Sequence, residues 1–236
     1  MKRAASSPAG ALRRAARPVA RFAGIEAVIF DFDGTLFDAS EAIFHSFNAA
    51  LRRHGRNPLP HPDIARMIGR PLVDMFPMVD PGASPEKVQS YIEAYREEFW
   101  PICVPLSRPL PGLRACLEAL RGRVRMAIAT SRTERGARVI LQGSGMEKFF
   151  DAIVAIEHVA RVKPDPEPVL RALALLGTAP AHGMMVGDTP DDMRAARAAG
   201  ATAVGVTTGY HDATALRLAG AHRVLRSLAR LPACLR

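Results

Sequence analysis

Five short apolar runs, each halted by polar residues and set apart by segments of helical periodicity, constrain this chain more than any other feature. They are Ile25–Asp31 (IEAVIFD), Val124–Thr130 (VRMAIAT), Ala152–Ile156 (AIVAI), Gly183–Asp188 (GMMVGD) and Ala201–Val206 (ATAVGV). A strand buried on both faces reads as a continuous apolar run, and runs of this length are too short for a buried helix. Between them, Leu113–Leu120, Arg135–Leu141, Pro168–Leu176, Asp191–Ala199 and Asp212–Leu218 carry apolar side chains three or four apart, as one helix face does. Gly143, Gly177 and Gly200 follow such stretches and Pro190 precedes one, as stop and start signals do. Strand and helix in alternation predict an α/β fold, a parallel sheet with helices on both faces.

The alternation breaks once. From about 38 to 108 there is no good strand run, only amphipathic pieces such as Glu41–His54 and Glu86–Trp100 among the prolines 58, 60, 62, 71, 77 and 81. A block this long, placed directly after the first strand, reads as a small helical domain, 38–108, inserted between 25–37 and 109–236. At 236 residues and 48% apolar composition, the chain is large enough for one core plus such an insert.

A net charge of +9 invites a nucleic-acid partner, but its distribution argues otherwise. Residues 1–24 hold six Lys or Arg and no acid, and residues 213–236 hold five Arg and no acid, which leaves 25–212 at −2. The charge therefore belongs to the ends, read as solvated tails or a helix face, and no nucleic-acid partner is expected. Residues 1–24 lack the apolar segment of a secretory signal. Their Arg, Ala and Ser resemble a mitochondrial-type presequence, and the simpler reading is a disordered basic extension. No stretch is long and apolar enough to span a bilayer, so no membrane partner is expected. Cys103, Cys116 and Cys234 are widely spaced and odd in number, which predicts a reducing, cytoplasmic setting. Nor do the histidines fall at metal-ligand spacing.

In open parallel sheets, ligands bind beyond the carboxyl ends of the strands. Four of the five ends here carry suggestive side chains: Asp31 with Asp33, Thr130 with Ser131, Lys163 after a short loop, and Asp188 with Asp192 one helical turn later. One aspartate at a strand end is usually a cap or turn former. Four ends agreeing imply a shared crevice. Asp31, Asp33, Asp188 and Asp192 would raise one another's pKa values there and stay ionised only if cations neutralise them. Lys163 supplies one charge, and the remaining donors are all oxygens, which favours Mg²⁺ over Zn²⁺. A free oxygen of Asp31 is then a candidate nucleophile. Asp33, carried past the strand end by the Gly34 turn, could protonate a leaving group and later deprotonate water. Thr130, the backbone donor beside it and Lys163 would hold phosphoryl oxygens.

These residues resemble a known set. DFDGT (Asp31–Thr35) is similar to the first motif of the haloacid dehalogenase superfamily, Thr130 after MAIA to the second, Lys163 in VKPDPEP to the third, and GDTPDD (Gly187–Asp192) to the fourth. The resemblance implies a three-layer, Rossmann-like α/β core with an inserted helical cap of the C1 type. It implies Mg²⁺ held by Asp31, Asp188 and the backbone carbonyl of Asp33, with Asp192 at the edge of the metal shell and Gly34 and Ser131 near the phosphate. Many relatives have Asn where this chain has Ser131, whose backbone donor survives. The cap segment MIGRPLVDMF (Met67–Phe76) and Pro111–Gly112 most resemble phosphoglycolate phosphatases. Arg70 could reach an anionic substrate from there, or pair with Asp74. His45 and His61 have no assigned role.

The expected activity is hydrolysis of a small phosphorylated metabolite, phosphoglycolate-like or a sugar phosphate, through an aspartyl-phosphate, by a monomer or homodimer. The alternatives within the superfamily are a β-phosphoglucomutase-like phosphomutase and a pyrophosphatase. A phosphonatase would need a Schiff-base lysine, and Lys87 is the only lysine of the cap. A non-enzymatic binding module would have no need of the intact carboxylates.

Overall fold

The computed structural model describes residues 21–235. In chain order its elements are β1 (Ala27–Phe30), β2 (Phe37–Asp38), α1 (Ser40–Arg53), α2 (His61–Ala65), α3 (Leu72–Val79), α4 (Pro85–Ile102), β3 (Arg108–Pro109) and α5 (Leu113–Leu120). There follow β4 (Arg125–Ala129), α6 (Glu134–Ser144), β5 (Ala152–Val154), α7 (Glu167–Leu175), β6 (Gly183–Gly187), α8 (Pro190–Ala198), β7 (Thr202–Val206), α9 (Ala213–Leu218) and β8 (Arg223–Leu225). Six strands form one parallel sheet in the order β5-β4-β1-β6-β7-β8. The strand order reverses at β1, between β4 and β6, so the ligand crevice of such a sheet lies beyond the end of β1.

Why the runs form this sheet is visible in their side chains. Val28 and Phe30 point to one face with Met126, Ile128, Met184 and Val186, where α5 and α6 cover them. Ala27 and Ile29 point to the other face with Ala127, Ala129 and Met185, under α7 and α8. Alternate residues thus face opposite apolar layers, and both layers are covered.

The interval 38–108 holds α1 to α4 above a two-residue antiparallel ladder of β2 and β3. Ser84 caps α4, whose first residue is Pro85, and the side chain of Asn48 exchanges two hydrogen bonds with the backbone of Leu59. Phe47, Phe76 and Tyr91 stack in series at 4.5 and 4.8 Å between ring centroids, tying α1, α3 and α4 together. Asp80, which is buried, accepts from Tyr91 Oη at 3.0 Å and pairs with Lys87 and Arg56. Phe76 is 0% exposed, and we expect Phe76→Ala to destabilise the chain by about 3–5 kcal/mol through the cavity it leaves, measured by urea unfolding.

Two expectations need correction. The basic C-terminal end is not a solvated tail: β8 joins the sheet and Leu228, Leu231, Cys234 and Leu235 are buried, with Arg223 half-buried and Arg217, Arg226 and Arg230 exposed. Part of the extension expected over 1–24 also belongs to the fold, because Phe22 bridges to Leu235 and donates from its backbone N–H to Cys234 at 2.7 Å. The rest of that extension, residues 1–20, lies outside the described residues. Among the described residues no helix is long and apolar enough to cross a membrane.

Candidate active site

The crevice beyond β1 is built by local turns that aim side chains inward. Asp31 ends the central strand, its N–H still donating to Val186 at 2.9 Å. The chain then folds back on itself, with Gly34 at φ +79° and Leu36 and Phe37 both donating to the Phe32 carbonyl. Only glycine takes that φ at no steric cost. Thr130 ends β4, its N–H bound to Val154, and its hydroxyl accepts from Arg132 N at 3.1 Å. The loop carrying Lys163 is pinned by Glu167, which accepts from the backbone of Ala160 and Arg161. Asp188 follows β6, and Thr189 caps α8 in a reciprocal capping box with Asp192.

At the centre, Lys163 Nζ lies 2.6 Å from Asp31 Oδ1, 2.7 Å from Asp192 Oδ1 and 3.1 Å from the Ala129 carbonyl. Asp192 thus does two jobs, capping α8 with one oxygen and anchoring the lysine with the other. Asp188 accepts from Thr35 Oγ1 at 2.9 Å, and oxygens of Asp31, Asp188 and Asp192 all lie within 4.8 Å of one another. Burial pushes Asp31 up to about 7; Asp192 adds to that rise while Lys163 opposes it. Asp188 is raised well above the usual carboxylate range, by burial first and then by Asp31 and Asp192. For Lys163 burial works downward, and the two carboxylates outweigh it, so the ammonium is held charged. Three buried carboxylates face one ammonium. A divalent cation fits the charge left over, and the all-oxygen donor set suits a hard one.

Packing leaves Asp188 no room to move. A Cβ on Gly34 would come 2.5 Å from its Oδ2, and one on Gly209 would come 1.8 Å away. Gly209→Ala must therefore displace this carboxylate. We expect hydrolysis of p-nitrophenyl phosphate to fall on the order of 10²-fold, with an unchanged circular dichroism spectrum, since displacements of about 1 Å cost that much.

Asp33, the residue expected to move protons, has its carboxylate held by both arms of the Arg132 fork, Nε at 3.1 Å and Nη2 at 2.5 Å. The Arg132 side chain is 9% exposed, its guanidinium over the rings of Phe32 and of Phe99 on α4, and it needs a counter-charge where it sits. Above the carboxylates is a cavity of about 180 Å³ whose lining includes Asp31, Asp33, Thr130, Ser131 and Arg132 below and Arg70 and Arg96 on the cap. Arg70 forms no ion pair with Asp74 or any other described residue. His45 lies near Glu98, His61 stacks on Phe44, and Lys87 is taken by Asp80, away from the cavity. Sequence reasoning missed Arg132, Arg96, Thr35 and the Gly209 loop. The last had a signal: TTGY follows β7, a fifth strand end on the same edge.

The model of a family described as haloacid dehalogenase-like hydrolase matches residues 28–206. The chain belongs to that family. A Dickeya dadantii protein named Probable phosphatase IndB is 35% identical over 204 residues, 81% of this chain and 85% of that protein. Pyrophosphatase PpaX of Halalkalibacterium halodurans is 31% identical over 205 residues, 86% of this chain and 94% of that one. A phosphoglycolate phosphatase of Cupriavidus necator is 32% identical over 213 residues, 89% and 92% of the two chains. Among solved structures, a haloacid dehalogenase-like hydrolase of Bacteroides fragilis superposes with a TM-score of 0.84 at 28% identity, covering 88% of this chain and 99% of that one. The protein is accordingly a phosphatase of this family with its α/β fold. Relatives of nearly equal identity are named for different substrates, so likeness assigns the reaction and leaves the substrate open.

Proposed function

We propose that this phosphatase hydrolyses a small phosphorylated molecule through an aspartyl-phosphate on Asp31, with Mg²⁺ as cofactor. The observation that carries the reading is the buried set in which Lys163 bridges Asp31 and Asp192 beside Asp188. An oxygen of Asp31 attacks phosphorus, and the P–O bond to the leaving group breaks as the Asp31–phosphorus bond forms. Asp33 gives the leaving oxygen its proton, then takes one from the water that attacks the phosphoryl group and frees Asp31. For this, Asp33 has to part from Arg132, which is then available to an anion in the cavity. Thr130, the Ser131 backbone and Lys163 steady the phosphoryl oxygens. Magnesium would be held by the carboxylates of Asp31 and Asp188 and the Asp33 carbonyl, and when bound it offsets the charge gathering on phosphate.

Phosphate release from p-nitrophenyl phosphate should disappear in chelator and return with magnesium. Equal rates in both conditions would overturn the cofactor assignment. A phosphomutase would have to orient a sugar between two phosphorylations, and among the described residues on the cap side of this cavity only Tyr95, Trp100, Arg70 and Arg96 have side chains that could hydrogen-bond one.

A further inference from the structure

We propose that the substrate is a phosphate monoester whose leaving group is an apolar body of about four to six carbons ending in a second anionic group. The inference rests on the phosphatase reading above and concerns only what fills the space over the nucleophile.

The cavity changes character with height. Its floor is polar, with Asp31, Thr130 and Ser131, while its upper wall carries Ile43 from α1, Leu72 and Met75 from α3, and Ile92 and Phe99 from α4. Tyr95 and Trp100 are the hydrogen-bonding groups of that wall besides its arginines, so a sugar, with a hydroxyl on nearly every carbon, would press most of them against side chains that offer no hydrogen bond. Methylene groups gain there instead. At about 180 Å³ the space holds on the order of ten water-sized groups, more than a two-carbon acid fills.

Charge supplies the second half. Arg70, exposed, and Arg96, half-buried, line the same cavity on the cap side. Neither has a carboxylate within ion-pair distance among the described residues, whereas Arg132 below them is paired with Asp33 until that carboxylate turns to the leaving group. A guanidinium offers a planar fork of donors that matches a carboxylate or phosphate oxygen pair. Phosphate on the floor, an apolar stem along the wall and an anion at Arg70 and Arg96 would leave none of these groups unmatched.

The test is kcat/KM for magnesium-dependent phosphate release across one homologous series, phosphoglycolate to 6-phosphooxyhexanoate. Hexyl phosphate, glucose 6-phosphate and p-nitrophenyl phosphate are run alongside. We expect a rise of about fourfold per methylene, on the order of 10²-fold over the series. 6-Phosphooxyhexanoate should exceed hexyl phosphate about tenfold, and Arg70→Gln combined with Arg96→Gln should bring that ratio close to one. A flat or falling series, or glucose 6-phosphate as the better substrate, overturns the proposal. If p-nitrophenyl phosphate is still hydrolysed in that case, the phosphatase reading stands and only the substrate class is wrong. No phosphate from any ester would overturn both.

Discussion

Asp31→Asn should lower phosphate release by on the order of 10⁴- to 10⁶-fold while leaving the fold intact, because losing the nucleophile of a covalent mechanism removes the whole pathway. The amide is almost the same size as the carboxylate, and its oxygen can still accept from Lys163, which lies 2.6 Å from Asp31 Oδ1. What it lacks is the charge needed to attack phosphorus. Thermal unfolding separates chemistry from folding here. One ionised group fewer beside Asp188 and Asp192 relieves repulsion, so the variant should melt no lower than the parent in chelator. Activity within tenfold of the parent would exclude Asp31 as the nucleophile.

Lys163→Met is expected to cost stability as well as activity. It leaves Asp31 and Asp192 facing each other at positions where the Asp192 side chain is 0% exposed and Lys163 itself was 5% exposed. Removing one partner from a buried ionic set costs about 3–5 kcal/mol, since the charges left behind stay out of water. The sign with pH follows from Asp31. Burial already holds its folded-state pKa up to about 7 against an ordinary 3.8, with Lys163 opposing the rise. A carboxylate raised on folding brings no penalty below its unfolded pKa and its full penalty above its folded pKa. Without the lysine that folded pKa climbs further. Urea unfolding in chelator should therefore show the deficit largest near pH 8 and shrinking toward pH 5. A deficit that grows toward acid would contradict the assignment of the lysine as counter-ion.

Most of the sheet was legible because its signal is local. All five apolar runs became strands, trimmed at their ends, since a strand covered on both faces must be apolar at every position whatever its neighbours are. β8 was not legible. RVL is three residues long and begins with an arginine, and it becomes a strand only because the edge of β7 offers it a ladder. The two-residue β2 and β3 are likewise set by where the cap leaves and re-enters the core.

The candidate site divides along the same line. Asp31, Thr130, Lys163 and Asp188 could be placed together from sequence because a parallel sheet gathers its carboxyl ends on one edge, independently of strand order. Which of them touch is another matter. The contact of Thr35 with Asp188 spans 153 positions and that of Arg132 with Asp33 spans 99, and both exist because β1 lies between β4 and β6. No local pattern encodes that order. The seating of Phe99 on Arg132 and the facing of Arg70 and Arg96 into one cavity likewise arise from how the cap docks on the core. By itself, then, the sequence determined the fold class and the chemical types gathered at one edge of the sheet, because burial and periodicity act within a few residues. The pairing of charges and the shape of the space above them were decided only by tertiary structure, because they depend on groups brought together from distant parts of the chain.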